Sequence, residues 1–276
     1  MKPPSNPPAC QPLANDDFTR LKTARPGLWT NPSTSCITCL KTGTYQWYAE
    51  GSREDVVTYE CDCKAQWLLH MWFLSAGIGL NYQRLGWDDI VTVPAAVVER
   101  IEQYALHAER NIAAGRSIVL WSPNAGSGKT LLMMLLCKAI LAQGFAVHLD
   151  QFNDILDLFT STWRDKSERE RWDQQVRNVD FLGIDDFGKE NKGRIEVVED
   201  AIDRVLRSRV SSDAPTAITT NLTPTEIQQG YGGYVMSLLT EKAVFIEVPG
   251  ASYRPRRLEL AQMEAERGLT RPVMVV

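Results

Sequence analysis

The segment Gly126-Ser127-Gly128-Lys129-Thr130 gathers the residue types that hold a phosphate chain. Glycines let backbone N–H groups turn inward toward anionic oxygens, a lysine reaches the β- and γ-phosphates, and the next hydroxyl serves Mg2+. A helix starting after the loop adds its positive N-terminal dipole. The stretch Asn124, Ala125, Gly126, Ser127, Gly128, Lys129, Thr130 and Leu131 is therefore the expected cradle for ATP. One position departs from the usual G-x-x-x-x-G-K-T pattern, because its first glycine is replaced by Pro123. Proline holds φ at about −65° and suits a turn that needs no positive φ. The loop entrance should differ, while the phosphate-contacting end stays intact.

A second candidate is Phe181-Leu182-Gly183-Ile184-Asp185-Asp186. An apolar strand ending in carboxylates places them at the carboxyl edge of a sheet, beside a phosphate loop. Asp185, with Thr130, is the expected Mg2+ site, directly or through water. Asp186 is expected to orient an attacking water, with Glu190 a weaker candidate. Asn221 follows the strand-like Thr216–Thr219 and can position water near the γ-phosphate. Arg254, in Ser252-Tyr253-Arg254-Pro255, can bring a cation to the phosphates from a lid. Taken singly, an asparagine after a strand is more often a turn residue, and a lone arginine more often a surface charge.

The cysteines suggest a different chemistry. Cys36-x-x-Cys39 and Cys61-x-Cys63 are two close pairs within one short stretch. Four thiolates at such spacing can hold tetrahedral Zn2+, and a small module without a large core usually needs such a clip. Cys10 and Cys137 read as structural or incidental, and His70 is a poor additional ligand. Trp67, Leu68, Trp72 and Phe73 either form a partner surface or pack against the zinc site.

These groups need elements to position them. The chain has 276 residues, 44% hydrophobic and 23% charged, enough for one α/β domain with a small appendage. Its formal net charge of −4 argues against a broadly basic nucleic-acid coat. No apolar run reaches the roughly 18 residues that span a bilayer, so no membrane partner is expected. The cysteines are read for a reducing cytoplasm.

Seven prolines (Pro3, Pro4, Pro7, Pro8, Pro12, Pro26 and Pro32) mark residues 1–33 as a flexible tail. Residues 34–86 form the cysteine- and aromatic-rich module, and residues 87–276 the α/β domain. Within the latter, strand-like runs Ser117–Trp121, Phe145–Leu149, Phe181–Ile184, Thr216–Thr219 and Val244–Val248 alternate with helical patterns. Those patterns cover Gln151–Thr160, Glu168–Val176, Val197–Val210, Pro224–Gln229 and Tyr234–Glu241. Alternation of this kind predicts a five-stranded parallel sheet flanked by helices. The segment Trp163–Arg177 mixes Arg164, Lys166, Arg169, Arg171 and Arg177 with tryptophans, a composition able to stack single-stranded bases. Interleaved Asp165, Glu168, Glu170 and Asp173 equally suit a solvated helix face.

Taken together, Gly128-Lys129-Thr130, Ile184-Asp185-Asp186-Phe187-Gly188-Lys189-Glu190, Thr219-Thr220-Asn221-Leu222 and Ser252-Tyr253-Arg254-Pro255 resemble AAA+ helicase loaders of the DnaC and DnaI type, close to the transposition ATPase IstB. The resemblance covers roughly Trp87 to Arg257. It implies an AAA+ P-loop domain preceded by a small zinc-binding domain that contacts the helicase. It also implies sensor roles for Asn221 and Arg254. By the same resemblance the protein is an ATPase that places a hexameric replicative helicase on single-stranded DNA, as a homo-oligomer on that helicase, in the cytoplasm of a bacterial or phage-infected cell. Loaders of this type usually carry an arginine finger where this chain has Leu238. Arg207 or Arg209 is a possible substitute, though both also read as helix-face charges. Two alternatives are a nucleotide-sensing helicase adaptor with little hydrolysis and an IstB-like transposition ATPase.

Overall fold

The computed structural model describes residues 44–49, 51–52, 54–61, 69, 72–163, 165–189 and 195–266. The expected tail, Cys36, Cys39, Cys63, Trp67, Leu68, His70, Arg164 and Glu190 lie outside the described residues.

The described residues begin with an antiparallel hairpin, β1 (Thr44–Tyr48) and β2 (Val56–Glu60), in which Tyr45 stacks on Tyr59. Next come α1 (Leu80–Gln83), a 3-10 turn (Trp87–Asp89), α2 (Ala95–Leu106) and α3 (Ala108–Ala113). The α/β part then runs β3 (Ser117–Trp121), α4 (Lys129–Ala142), β4 (Val147–Gln151), α5 (Phe152–Ser161) and α6 (Lys166–Trp172). It ends with β5 (Phe181–Phe187), α7 (Ile195–Ser211), β6 (Thr216–Thr220), α8 (Pro224–Lys242), β7 (Ala243–Glu247) and α9 (Arg254–Glu266).

Strands β3–β7 form the expected five-stranded parallel sheet, in the order β4-β5-β6-β3-β7. Both faces are covered, so the strands read as nearly continuous apolar runs. Strand alternation sends Ile118 and Leu120 to one face and Val119 to the other. The first face packs on Leu132, Leu136 and Ile140 of α4. The second packs on Phe152 and Ile155 of α5 and on Ile202 and Val205 of α7. Apart from Lys129, Thr130 and Lys138, helix α4 is apolar on every face, as suits a helix buried along almost its whole length. From β3 the chain crosses to the far edge at β4 and returns through β5 and β6. That reversal beside β3 opens a crevice at the carboxyl ends of the strands.

The structure departs from expectation in several places. Trp72 and Phe73 are buried with Leu132, Leu136 and Val147, so they present no partner surface, and the packing continues across the boundary expected at residue 86/87. Strand β4 starts at Val147 rather than Phe145, because the Ala146 N–H is held by the Asp180 carboxylate at 2.7 Å instead of by the ladder. The helix expected over Glu168–Val176 is α6 followed by a wider turn over Asp173–Arg177. The two helices expected around residues 224–241 abut in α8, broken at Gly232, whose φ of 82° suits glycine alone.

Arg209 is a further correction. It is no helix-face charge and no stand-in for an arginine finger, since it is 1% exposed. Its guanidinium donates to the carbonyls of Val176 (2.9 Å), Arg177 (3.2 Å), Val179 (3.2 Å) and Pro215 (2.7 Å) and to Thr216 Oγ1 (2.9 Å). Burial pushes its pKa down to about 10, so it stays charged at neutral pH. The planar fork of five donors suits this ring of acceptors, which ties α7 to the turns before β5 and β6. Arg207 is the helix-face charge, paired with Asp203 across one turn of α7. Among the described residues, no helix is long and apolar enough to cross a membrane. Arg209→Met should lower unfolding stability by about 3 kcal/mol by stranding buried carbonyls, a loss readable by urea denaturation; an unchanged midpoint would contradict the bracing role.

Candidate functional site

The phosphate loop joins β3 to α4 at the crevice. Its left-handed backbone falls at Gly126 (φ 81°) and Gly128 (φ 100°), not at Pro123. This is why proline is tolerated at the entrance. A methyl group on Gly126 would lie 2.4 Å from Ser252 Oγ, so the loop is packed tightly against the segment before α9. The contact is fixed by the Tyr253 N–H donating to the Gly126 carbonyl at 2.7 Å. It brings Arg254, the first residue of α9, to the loop from the opposite end of the domain.

Lys129 and Thr130 begin α4. The Lys129 ammonium donates to the Asn124 carbonyl (3.1 Å), the Ser122 carbonyl (3.3 Å) and Ser127 Oγ (3.3 Å), which holds it within the loop. Burial lowers its pKa, nearby Lys189 adds to the effect, and Asp186 and Asp185 oppose it. The Thr130 hydroxyl lies 3.0 and 3.2 Å from the two carboxylate oxygens of Asp185. Thr219 of β6 donates a second hydroxyl to Asp185. The expected pair of Thr130 and Asp185 is therefore assembled.

Asp185 and Asp186 sit on an irregularity in the β5–β6 ladder. Ile184 pairs with Ile218 and Phe187 with Thr220, so two residues of β5 face one of β6. Such a bulge re-aims side chains. Here Asp186 takes a left-handed φ of 58°, uncommon for a residue other than glycine but tolerated by aspartate. Its N–H donates to Thr219 Oγ1 at 3.1 Å, and its carboxylate pairs with Lys189 at 2.7 Å. Asp185 points inward and is buried, while Asp186 stays half-buried at the rim. Burial raises the Asp185 pKa and the Asp186 charge raises it further, against the hydrogen bonds from Thr219 and Thr130.

These groups line one cavity of about 260 Å³, together with Ala125, Gly126, Ser127, Gly128, Leu131, Asn221 and Arg254. Asn124 lies just outside the lining, with its Nδ2 donating to the Gly250 carbonyl at 3.4 Å and its own carbonyl holding Lys129. The cavity has a polar end, at Lys129, Thr130, Asp185 and Asp186, and an apolar wall of Tyr82, Leu85, Leu131 and Tyr253. Arg257 completes the wall, its guanidinium 5.3 Å from the Tyr82 ring centre. Three of these residues escaped the sequence reading. Arg257 stands one helical turn after Arg254 and was legible from that spacing. Tyr82 and Leu85 carried no signal, because they lie in the stretch assigned to the cysteine module.

Other candidates lie elsewhere. Leu238 is half-buried against the core of α7, α8 and the sheet, and is not part of the cavity lining. Cys61 is buried, and among the described residues no group of three or more His, Cys, Asp or Glu side chains is placed to hold a metal ion. Around α6, Arg171 pairs with Glu168 (3.7 Å), Lys166 with Glu170 (3.8 Å) and Arg177 with Asp173 (3.0 Å). Trp172 is buried and Trp163 exposed, so only the latter is open to a stacking base.

Sheet order, phosphate loop and paired carboxylates together give the fold of an AAA+ P-loop domain. In sequence the chain is similar to the replicative helicase loader DnaC of Escherichia coli (strain K12) and of Shigella flexneri, at 27% identity over 161 residues, or 58% of the chain. The match spans 63% of the length of those relatives. No protein-family model matches the chain. Among solved structures, the DnaC helicase loader superposes with a TM-score of 0.54 at 18% identity, covering 62% of this chain and 100% of that one. DnaI superposes at 0.51 and 19%, covering 62% and 94%. The replication initiator DnaA bound to AMPPCP and single-stranded DNA superposes at 0.52 and 14%, covering 70% and 57%.

The buried charge at Asp185 has a consequence for stability. A carboxyl whose pKa is raised on folding stabilises the fold only while protonated, and that contribution is lost as pH rises through the folded pKa. Asp185→Asn removes this loss and keeps an acceptor for Thr130 and Thr219. The ligand-free variant should melt at or above the wild-type temperature at about pH 8. Its advantage should shrink as the pH falls toward the carboxylate range. A variant that melts well below wild type at neutral pH would show that the ionised carboxylate stabilises the fold.

Proposed function

We propose that this cavity binds ATP with Mg2+, and that the bound nucleotide controls the placing of a hexameric DnaB-type replicative helicase on single-stranded DNA during replication. The observation that carries the nucleotide reading is the meeting of Lys129, Thr130 and Asp185 in one cavity with both a polar end and an apolar wall. The likeness to DnaC supports the helicase part of the reading.

The residues present fit the group. Thr130 and Asp185 offer hard oxygen donors within 3.0 Å of each other, the chemistry that Mg2+ requires. When bound, Mg2+ neutralises charge on the phosphate oxygens. Lys129 releases the loop carbonyls it holds and pairs with a phosphate instead. The N–H groups of the loop and the start of α4 bind anionic oxygens. Asp186, at the rim and free of the Asp185 hydrogen bonds, orients a water once its pair with Lys189 opens. Asn221 and Arg254 close on the terminal phosphate from β6 and α9.

The zinc part of the reading, with Cys36, Cys39, Cys61 and Cys63 as ligands in a helicase-contacting module, rests on cysteine spacing. Assembly on the helicase as a homo-oligomer and contact with single-stranded DNA rest on the family resemblance. A second reading, a nucleotide-sensing adaptor with little turnover, is favoured by Leu238. An arginine finger contributes roughly 10³–10⁵ in rate, and the position carries a half-buried leucine.

Mixing the protein with the helicase of its own source, with ATP, with ADP and as Lys129→Ala, tests the proposal. ATP should give a stable complex and transfer of helicase to single-stranded DNA, and the variant should not. Equal transfer in all three conditions would remove the switch. The isolated protein should hydrolyse ATP slowly; brisk turnover without a partner would contradict the role given to Leu238.

A further inference from the structure

Lys138 lies on α4, roughly two and a half turns beyond Lys129. Its side chain is fully buried, a state almost never adopted by lysine without partners. The ammonium donates to the carbonyls of Leu85 (2.6 Å), Gln83 (3.2 Å) and Tyr82 (3.4 Å). It also stands 5.2 Å from the centre of the Phe73 ring. Lysine has three N–H donors, so these three carbonyls use them all. They belong to the end of α1 and the turn behind it. The same short segment turns the side chains of Tyr82 and Leu85 into the cavity, where Tyr82 meets Arg257.

We infer that Lys138 is a positioning residue for nucleotide binding. By gathering the carbonyls of Tyr82, Gln83 and Leu85, it fixes the apolar wall on which the base of the nucleotide lies, without touching the nucleotide. The inference rests on the nucleotide reading above and deepens it. It assigns the phosphate end of the site to Lys129, Thr130 and Asp185, and the base end to a wall whose geometry is set from beneath by a buried cation. The groups facing Lys138 are the Phe73 ring, the three carbonyls and the Asp89 carboxylate of the 3-10 turn. Asp89 favours the charged form, but burial outweighs it and pushes the pKa down to about 7. The clamp is therefore charged in mildly acidic solution. As pH rises through about 7 it loses a donor and its charge.

Two ligands separate the ends of the site: Mg-ATP, which has a base, and tripolyphosphate, which has none. Their affinities are to be measured for the full chain, for Lys138→Met, for Tyr82→Ala and for the double variant. Lys138→Met should weaken ATP about tenfold and leave tripolyphosphate within about twofold. In the double variant the ATP loss should fall well short of the sum of the single losses, since both act through one wall. Equal weakening of both ligands, unchanged ATP affinity or full additivity would each overturn the inference. Should Lys138→Met not fold, Lys138→Gln, which keeps two N–H donors for the three carbonyls, still decides. It should weaken ATP less than tenfold and leave tripolyphosphate within about twofold, and equal weakening of both ligands overturns the inference. Wild-type protein that binds tripolyphosphate as tightly as ATP would remove the base wall alone. Protein that binds neither would remove the nucleotide reading, and this inference with it.

Discussion

The Asp185 carboxylate accepts one hydroxyl from Thr130 at the start of α4 and another from Thr219 in β6. Three separate elements thus meet on one buried charge. The contact requires β5 and β6 to lie side by side in register, and α4 to begin where β3 delivers it. It also requires the ladder to bulge between Ile184 and Phe187, so that Asp185 turns inward while Asp186 turns to the rim. Thr219 serves both carboxylates' backbone and side chain, donating to Asp185 and accepting from the Asp186 N–H. A buried charge and a left-handed aspartate are each unfavourable for the fold, and such features concentrate where a site must be ready for a ligand.

The residues at the polar end of the cavity were legible because they are contiguous in sequence. A glycine-rich loop with lysine and threonine has few other uses, and an apolar strand ending in two aspartates declares where its carboxylates lie. The parallel sheet was legible for the same reason, from apolar runs alternating with helical periods. What the sequence hid depends on contacts between distant segments. Trp72 and Phe73 leave a partner surface and internal packing both open until α4 is laid over them. Arg209 looks like a helix charge until the turns before β5 and β6 close around it. Tyr82 and Leu85 have no local pattern at all, because their role comes from the α4 lysine beneath them. The bulge at Asp185–Asp186 is equally silent, as both residues fit a plain strand end.

The two ends of the cavity use different physics. The polar end relies on charge and on oriented backbone groups, and its sequence pattern is shared with many nucleotide-binding proteins. The apolar end relies on a short segment outside the sheet, held by Lys138 and by the Tyr82–Arg257 contact. Helix α9 contributes both Arg254 and Arg257 to the lining of the cavity. The likeness to DnaC supports the proposed helicase-loading role, and the proposed reading of low turnover rests on the leucine at position 238.

The central claim is that Lys129, Thr130 and Asp185 together form a Mg-ATP site. Calorimetric titration of the full chain with ATP, with and without Mg2+, tests it most directly. The account predicts binding that tightens clearly when Mg2+ is present. Absence of binding, or binding indifferent to Mg2+, would contradict it.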